Sequence, residues 1–545
     1  MEKNNSCNNE SKSNCFLAIA AVIIGMVFVS MGLWGGFNLG LTITNLLLLT
    51  TGTIYLKRKN IKIGFNGILL LIVCSLGSLV FSLTANLLVN IALFSLLFLS
   101  ISAYFYYLNR GSKALGDLRI VPIVFASTFA TTLENLSKST KAIIPSRVKN
   151  GASYKKLLIG FLCAVPVLTV VLPLLVSSDA AFENLFKSIS EDILLWFLKF
   201  TLGILISPII FSYFFSNRNY KDNFNFKNGL KGNKIDGLYA ISFLAAISVC
   251  YLVYLFSQLA YIFSGLHGIL PEAFTVAEYA RRGFFEISAI AVINFLIMGS
   301  SLLFIKQTGT KKDKIIRFFL WFVGVFTMLL IITAIAKMVL YIGSFGMTEL
   351  RILTSMFLVF LFVICIVFLL RTLTPKIAIF RPAIMVALVL LTTLGFVGTN
   401  RLVSAYNTEA YISGKLETVD LSAMSENGYV SAKYLIKLER HLAESEKEIG
   451  AINEQYSETM HYLIEIFDDM YNIDKKGKYR RADKFNIESF NLEKELAYSY
   501  FENYINENSA FLDKVQWQKN GSNAGVIYNE EEYRWQKEYG ELWYN

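Results

Sequence analysis

Three ionisable side chains stand inside long apolar runs, Lys199, Glu286 and Lys337. A charge taken into a bilayer is costly and generally faces a bundle interior, a partner or water. These are therefore the residues from which chemistry is first sought. Arg282, Glu286, Ile290 and Asn294 recur at i, i+4, which pairs Arg282 with Glu286 on one helix face. Ile290 interrupts that face, so Asn294 is its weaker member. Lys337 and Tyr341 share the same spacing, and Arg281, Glu349 and Arg351 lie at the ends of the same apolar runs. The expected cluster is thus Arg281, Arg282, Glu286, Asn294, Lys337, Tyr341, Glu349 and Arg351, with Lys199 on a separate span. A Glu286–Lys337 pair would neutralise both charges. Two uses stay open: snorkelling or structural pairing, and a polar pocket for binding or conduction.

The usual catalytic equipment is missing. The three histidines, His267, His441 and His461, have no metal-ligand spacing. No phosphate-cradling glycine loop, nucleophile elbow or zinc-binding HExxH occurs. The six cysteines fall in the N-terminal tail or in apolar runs, without a Cys-x-x-Cys pair. No catalytic residue, cofactor or metal is expected.

The elements that must position the cluster follow from composition. Hydrophobic residues make up 54% of the 545 and charged residues only 17%, against about a quarter in soluble domains. Mean hydropathy is +0.49. A span needs about 20 apolar residues, and the charge-poor runs accommodate about 11: near 16–35, 38–56, 64–83, 86–107, 157–177, 193–215, 238–264, 284–305, 318–342, 352–371 and 383–400. The first run exceeds a signal-peptide core and is followed at once by a second span, so it is expected to be retained. The fold class is all-α: a polytopic helical membrane bundle with a C-terminal helical extracytoplasmic domain.

Net charge sorts the chain by side. Residues 1–400 hold 34 Lys+Arg and 15 Asp+Glu, whereas 401–545 hold 17 and 26. With a cytoplasmic N-terminal tail (1–15), the inner segments carry 28 Lys+Arg and the outer loops 4, a strong positive-inside bias. The expected location is the cell membrane, with residues 401–545 outside. The basic charge records orientation toward an anionic inner leaflet, so the lipid bilayer is the expected partner and nucleic acid is not. Membrane or envelope proteins are the other possible partners.

Two segments are too short to span. Residues 120–136 carry a helical apolar pattern and precede a basic stretch, as an interfacial helix does, with a re-entrant hairpin as the alternative. Residues 178–192 repeat the pattern on the outer side. The acidic domain, 401–545, places Leu435, Leu438, Leu442, Tyr456, Met460, Leu463 and Phe467 at helical spacing. A second amphipathic run is expected at about 486–506.

Three segments carry a family resemblance. Glu278-Tyr-Ala-Arg-Arg-Gly-Phe-Phe-Glu286 resembles a Y-A-R-x-G-F-F pattern. The stretch Lys337 to Arg351 is similar to R-M-x-L-Y…G-L-T-x-x-R, with lysine first instead of arginine. Asn400 to Asn407, followed by Leu416 to Leu421, resembles N-P-D…N and a following L-D, with Arg401 in the proline position. These patterns resemble a bacterial family of multi-pass membrane proteins known only as a domain of unknown function, family 4173, related to 4153. The resemblance implies no activity, cofactor or substrate, and it marks the outer span ends as the distinctive part.

Three functions fit these observations. The first is a non-enzymatic cell-envelope sensor, scaffold or partner-binding protein. The second is a transporter or channel using the polar cluster, although no inverted repeat is evident. The third is a membrane enzyme acting on a lipid or envelope precursor.

Overall fold

The computed structural model describes residues 2–57, 63–110, 120–136, 171, 191–219, 235–266, 284–305, 311–374, 377, 379–421, 424, 428–449, 454–473, 479–482, 490–508, 511–512 and 515. By contacts the chain divides into two compact units: residues 1–226 with 485–491, and residues 227–484 with 492–545.

The first unit contains α1 (Glu2–Val27, continued by a π-helical turn, Phe28–Leu33), α2 (Leu39–Lys57), α3 (Phe65–Leu83), α4 (Leu87–Arg110), α5 (Ile120–Glu134) and α6 (Glu191–Asn219). The breaks in the long apolar runs become turns and caps. Asn86 accepts from the Val89 amide at 2.8 Å and so opens α4, as a side-chain oxygen satisfies an orphan helix donor. Helices α1 and α6 cross closely at Gly25 and Gly203, where a Cβ on Gly25 would lie 2.5 Å from the Gly203 carbonyl oxygen. Small residues permit such approaches between membrane helices.

Helix α5 packs against α4 and α6. The Phe129 ring lies 5.7 Å from that of Phe98. Ser212 donates to the Thr132 carbonyl at 2.8 Å, and the Tyr213 hydroxyl bonds Ser102 and Thr128. Residues of α2, α4, α5 and α6 line an apolar cavity of about 260 Å³.

The second unit contains α7 (Gly237–Leu266), α8 (Phe284–Phe304), α9 (Lys311–Phe345), α10 (Glu349–Leu373), α11 (Phe380–Val397), α12 (Thr399–Ile412), α13 (Ser431–Ile449), α14 (Glu454–Met470) and α15 (Leu492–Glu507). One small hairpin interrupts the helical order. Strands β1 (Tyr471–Ile473) and β2 (Tyr479–Arg481) pair antiparallel, at the basic break between the two amphipathic runs. Helices α13, α14 and α15 enclose one core, with Leu435, Leu438, Leu442, Met460, Leu463, Phe467, Tyr498, Phe501 and Tyr504 buried together. Arg481 ties the hairpin to α15 through Glu495 at 3.0 Å and Glu502 at 3.1 Å.

Nine described helices have the length and apolar character to cross a membrane. A tenth, α8, has a shorter apolar core, Glu286–Leu302. The chain is an integral, multi-pass membrane protein, and its described residues are almost wholly helical. The expected span at 157–177, apart from Val171, and residues 178–190 of the expected surface helix lie outside the described residues, while residues 191–192 begin α6. The helices after residue 401 fall in the same compact unit as α7–α11.

Candidate functional site

Helix α9 sets the depth of Lys337. Arg317 and Lys337 are 20 residues apart on one continuous helix, about 30 Å at ~1.5 Å per residue, which is about the thickness of the hydrocarbon core. With Arg317 at one boundary, Lys337 therefore stands at the other. Glu286 lies in the first turn of α8, exposed, and its charge interacts with that of Lys337. These two expected members are brought together.

One and two turns beyond Lys337 come Tyr341 and Phe345. The chain then reverses through Gly346, Met347 and Thr348 into α10. Gly346 has φ +74°, a left-handed conformation that favours glycine. Thr348 caps α10 by accepting from the Arg351 amide. The Arg351 guanidinium folds back over the turn: it donates to the carbonyls of Phe345, at 2.8 Å, and Gly346. Its Cζ lies 4.2 Å from the centroid of the Tyr341 ring, a cation–π contact. Glu349 sits in the first turn of α10, where the helix dipole favours a carboxylate. Its buried Oε1 has no hydrogen-bond partner among the described residues.

Asn407, on α12, closes the turn from outside it. Its Oδ1 accepts from the Met347 amide at 2.7 Å, and its Nδ2 donates to the Met347 carbonyl at 2.8 Å. The side chain is 1% exposed. A Cβ at residue 346 would lie 2.8 Å from Asn407 Oδ1, so glycine there meets both a backbone and a steric requirement.

Asn294 belongs elsewhere. It is 0% exposed, accepts from the Tyr251 hydroxyl and donates to Thr327 Oγ1 at 2.9 Å. Thr327 in turn donates to the Val323 carbonyl at 2.7 Å, and the Tyr251 ring stacks on Phe326 at 4.0 Å. This network joins α7, α8 and α9 within their apolar lengths. Lys199 is on α6 in the first unit, and Arg281 and Arg282 lie outside the described residues. Among the described residues no group of three or more His, Cys, Asp or Glu could hold a metal.

The second and third segments quoted for their resemblance thus meet in space: the turn between α9 and α10 is gripped by α12. The family described as "Domain of unknown function (DUF4153)" matches residues 44–438, well over half of the chain. The chain belongs to this family. The match is to 4153, where the motifs had suggested 4173 first. No curated protein and no solved structure matches the chain.

Sequence reasoning missed three features. The partners of Asn294, Tyr251 and Thr327, are uncharged, so a search for intramembrane charge passes over them. Asn407 appeared only as a motif letter. Glu493, 2% exposed on α15, looked like one more acid in an acidic tail.

Proposed function

We propose that the protein is a non-enzymatic cell-envelope sensor, scaffold or partner-binding protein that holds its C-terminal helices on the ends of its spans. The observation that carries this is the use made of Arg351. Its Nη1 donates to two turn carbonyls and its guanidinium lies against the Tyr341 ring, and Asn407 fixes that turn to α12. Neither the apolar cavity of the first unit nor a smaller one beside Arg401 is lined by Glu286, Lys337 or Arg351.

The positive-inside count supports a cytoplasmic N-terminus and an external C-terminal domain in the cell membrane. The same count supports contact of the basic loops with an anionic inner leaflet. A specific tie to family 4173 would add no activity to this reading. Transport is the second reading, favoured by the Glu286–Lys337 interaction.

Two measurements on the full-length protein separate them. A photo-crosslinking residue in place of the exposed Glu465 is expected to give one discrete protein adduct in cells. Purified protein in liposomes is expected to pass protons and small ions no faster than protein-free vesicles. Flux that Glu286→Gln abolishes would overturn the scaffold reading.

A further inference from the structure

The second cavity lies where the last span ends. Helix α11 is apolar through Val397; Gly398 turns the chain with φ +79°, and Arg401 occupies the first turn of α12. Arg401 is four residues past the last apolar residue of the span, at the level where headgroups meet the hydrocarbon. Beside it is a pocket of about 170 Å³, room for five or six water-sized groups at ~30 Å³ each.

The lining is of three kinds. Arg401 and Lys433 are exposed cations, Tyr429, Tyr434 and Tyr500 supply rings and hydroxyls, and Glu493 is a buried carboxylate. Lys433 Nζ stands 5.6 Å from the centroids of both Tyr434 and Tyr500, so the ammonium is held at the pocket by two rings. Glu493 Oε1 lies 3.0 Å from where a Cβ on Gly398 would stand, against the N-terminus of α12. A helix N-terminus stabilises a carboxylate. Counting formal charges, two cations and one carboxylate leave the pocket at +1, the complement of a phosphodiester. Tyrosines are also the residues that favour the boundary between headgroups and hydrocarbon.

We propose that the pocket formed by Arg401, Lys433 and the three tyrosines binds the phosphodiester headgroup of an anionic membrane phospholipid. Arg401 and Lys433 donate to the phosphate oxygens, the tyrosine hydroxyls complete the cradle, and the acyl chains lie along α11. Nothing in this assignment requires a protein partner or a transported solute.

The test is native mass spectrometry of the full-length protein in mild detergent, titrated with dioleoyl phosphatidylglycerol. Wild type is expected to retain one saturable lipid. The Arg401→Gln/Lys433→Gln variant is expected to bind it about tenfold or more weakly, the order of effect of losing charge-assisted contacts. Arg401→Lys/Lys433→Arg, which keeps both charges, and Lys437→Gln, outside the pocket, are expected to retain it and so to distinguish loss of the site from loss of the fold. Equal retention by the glutamine variant, or equal retention of uncharged dioleoylglycerol, would overturn the proposal. Displacement by inorganic phosphate or glycerol 3-phosphate at matched concentration would also overturn it, because the site would then serve a soluble anion.

Discussion

Asn407 satisfies both backbone groups of Met347, one carboxamide against one peptide unit, and so fixes the turn between α9 and α10 to α12. Replacing it with alanine leaves the Met347 amide and carbonyl without this partner in a part-buried place. Two lost hydrogen bonds with stranded backbone groups amount to about 2–3 kcal/mol. Asn407→Ala is expected to lower the thermal midpoint of the detergent-solubilised protein, and Asn407→Asp, which keeps only the acceptor, to fall between. An unchanged midpoint for the alanine variant would show that the clasp is not structural.

This clasp marks the limit of what the sequence disclosed. Spans were legible because about 20 apolar residues in a row have few other uses, and the α13–α15 core was legible because Leu435, Leu438 and Leu442 repeat at helical spacing. Glu286 and Lys337 could be picked out because charge is rare in such runs. Asn407 and Glu493 could not, since each acts on a chain segment far away in sequence. Met347 lies 60 residues from Asn407, and Gly398 lies 95 positions before Glu493. No local pattern encodes pairings of that separation.

The charge interaction of Glu286 with Lys337 predicts coupling. Glu286 is exposed, so the coupling is modest, about 1 kcal/mol in a double-mutant cycle. Glu286→Gln and Lys337→Met, measured singly and together by unfolding of the full chain, are expected to be non-additive. Strict additivity would remove the pair.

The Asn294 network predicts a different result. Interhelical hydrogen bonds in membranes contribute about 0.6 kcal/mol on average and rarely exceed ~1.7. Tyr251→Phe and Thr327→Val each remove one partner of Asn294, so each is expected to destabilise by about that average. Asn294→Leu removes both bonds at once and is expected to cost more than either. If the leucine variant proved more stable than wild type, burial of the amide would outweigh its bonds.

The position of α5 predicts protection. Phe129 contacts Phe98, and Phe98 is ten residues, about 15 Å, before the end of the apolar stretch at Leu108. In a background without native cysteines, Phe129→Cys is expected to resist a membrane-impermeant maleimide applied from either face, as an inserted segment would. Rapid labelling from one face would place α5 at the membrane surface, as an interfacial helix.

The α13–α15 core carries a pH dependence. Burial raises the phenol of Tyr504 well above its ordinary value of 10.0, with Glu439 adding to the shift and Arg440 opposing it. Burial does the same for Tyr471, with Glu502 adding and Arg481 opposing, and for Tyr498 beside Arg481 and Glu495. In the unfolded chain these phenols ionise near pH 10, whereas in the fold they hold their protons to higher pH. Stability is therefore complete below pH 10 and falls as pH rises beyond it, because the unfolded state then releases protons that the folded state keeps. Phenolate absorbance followed during alkaline titration is expected to rise in two phases. Exposed tyrosines ionise first, and the core tyrosines follow together with loss of helical circular dichroism. Tyr504→Phe removes one such phenol and should shift the second phase to higher pH; a single phase near pH 10 with helicity intact would contradict the burial of all three.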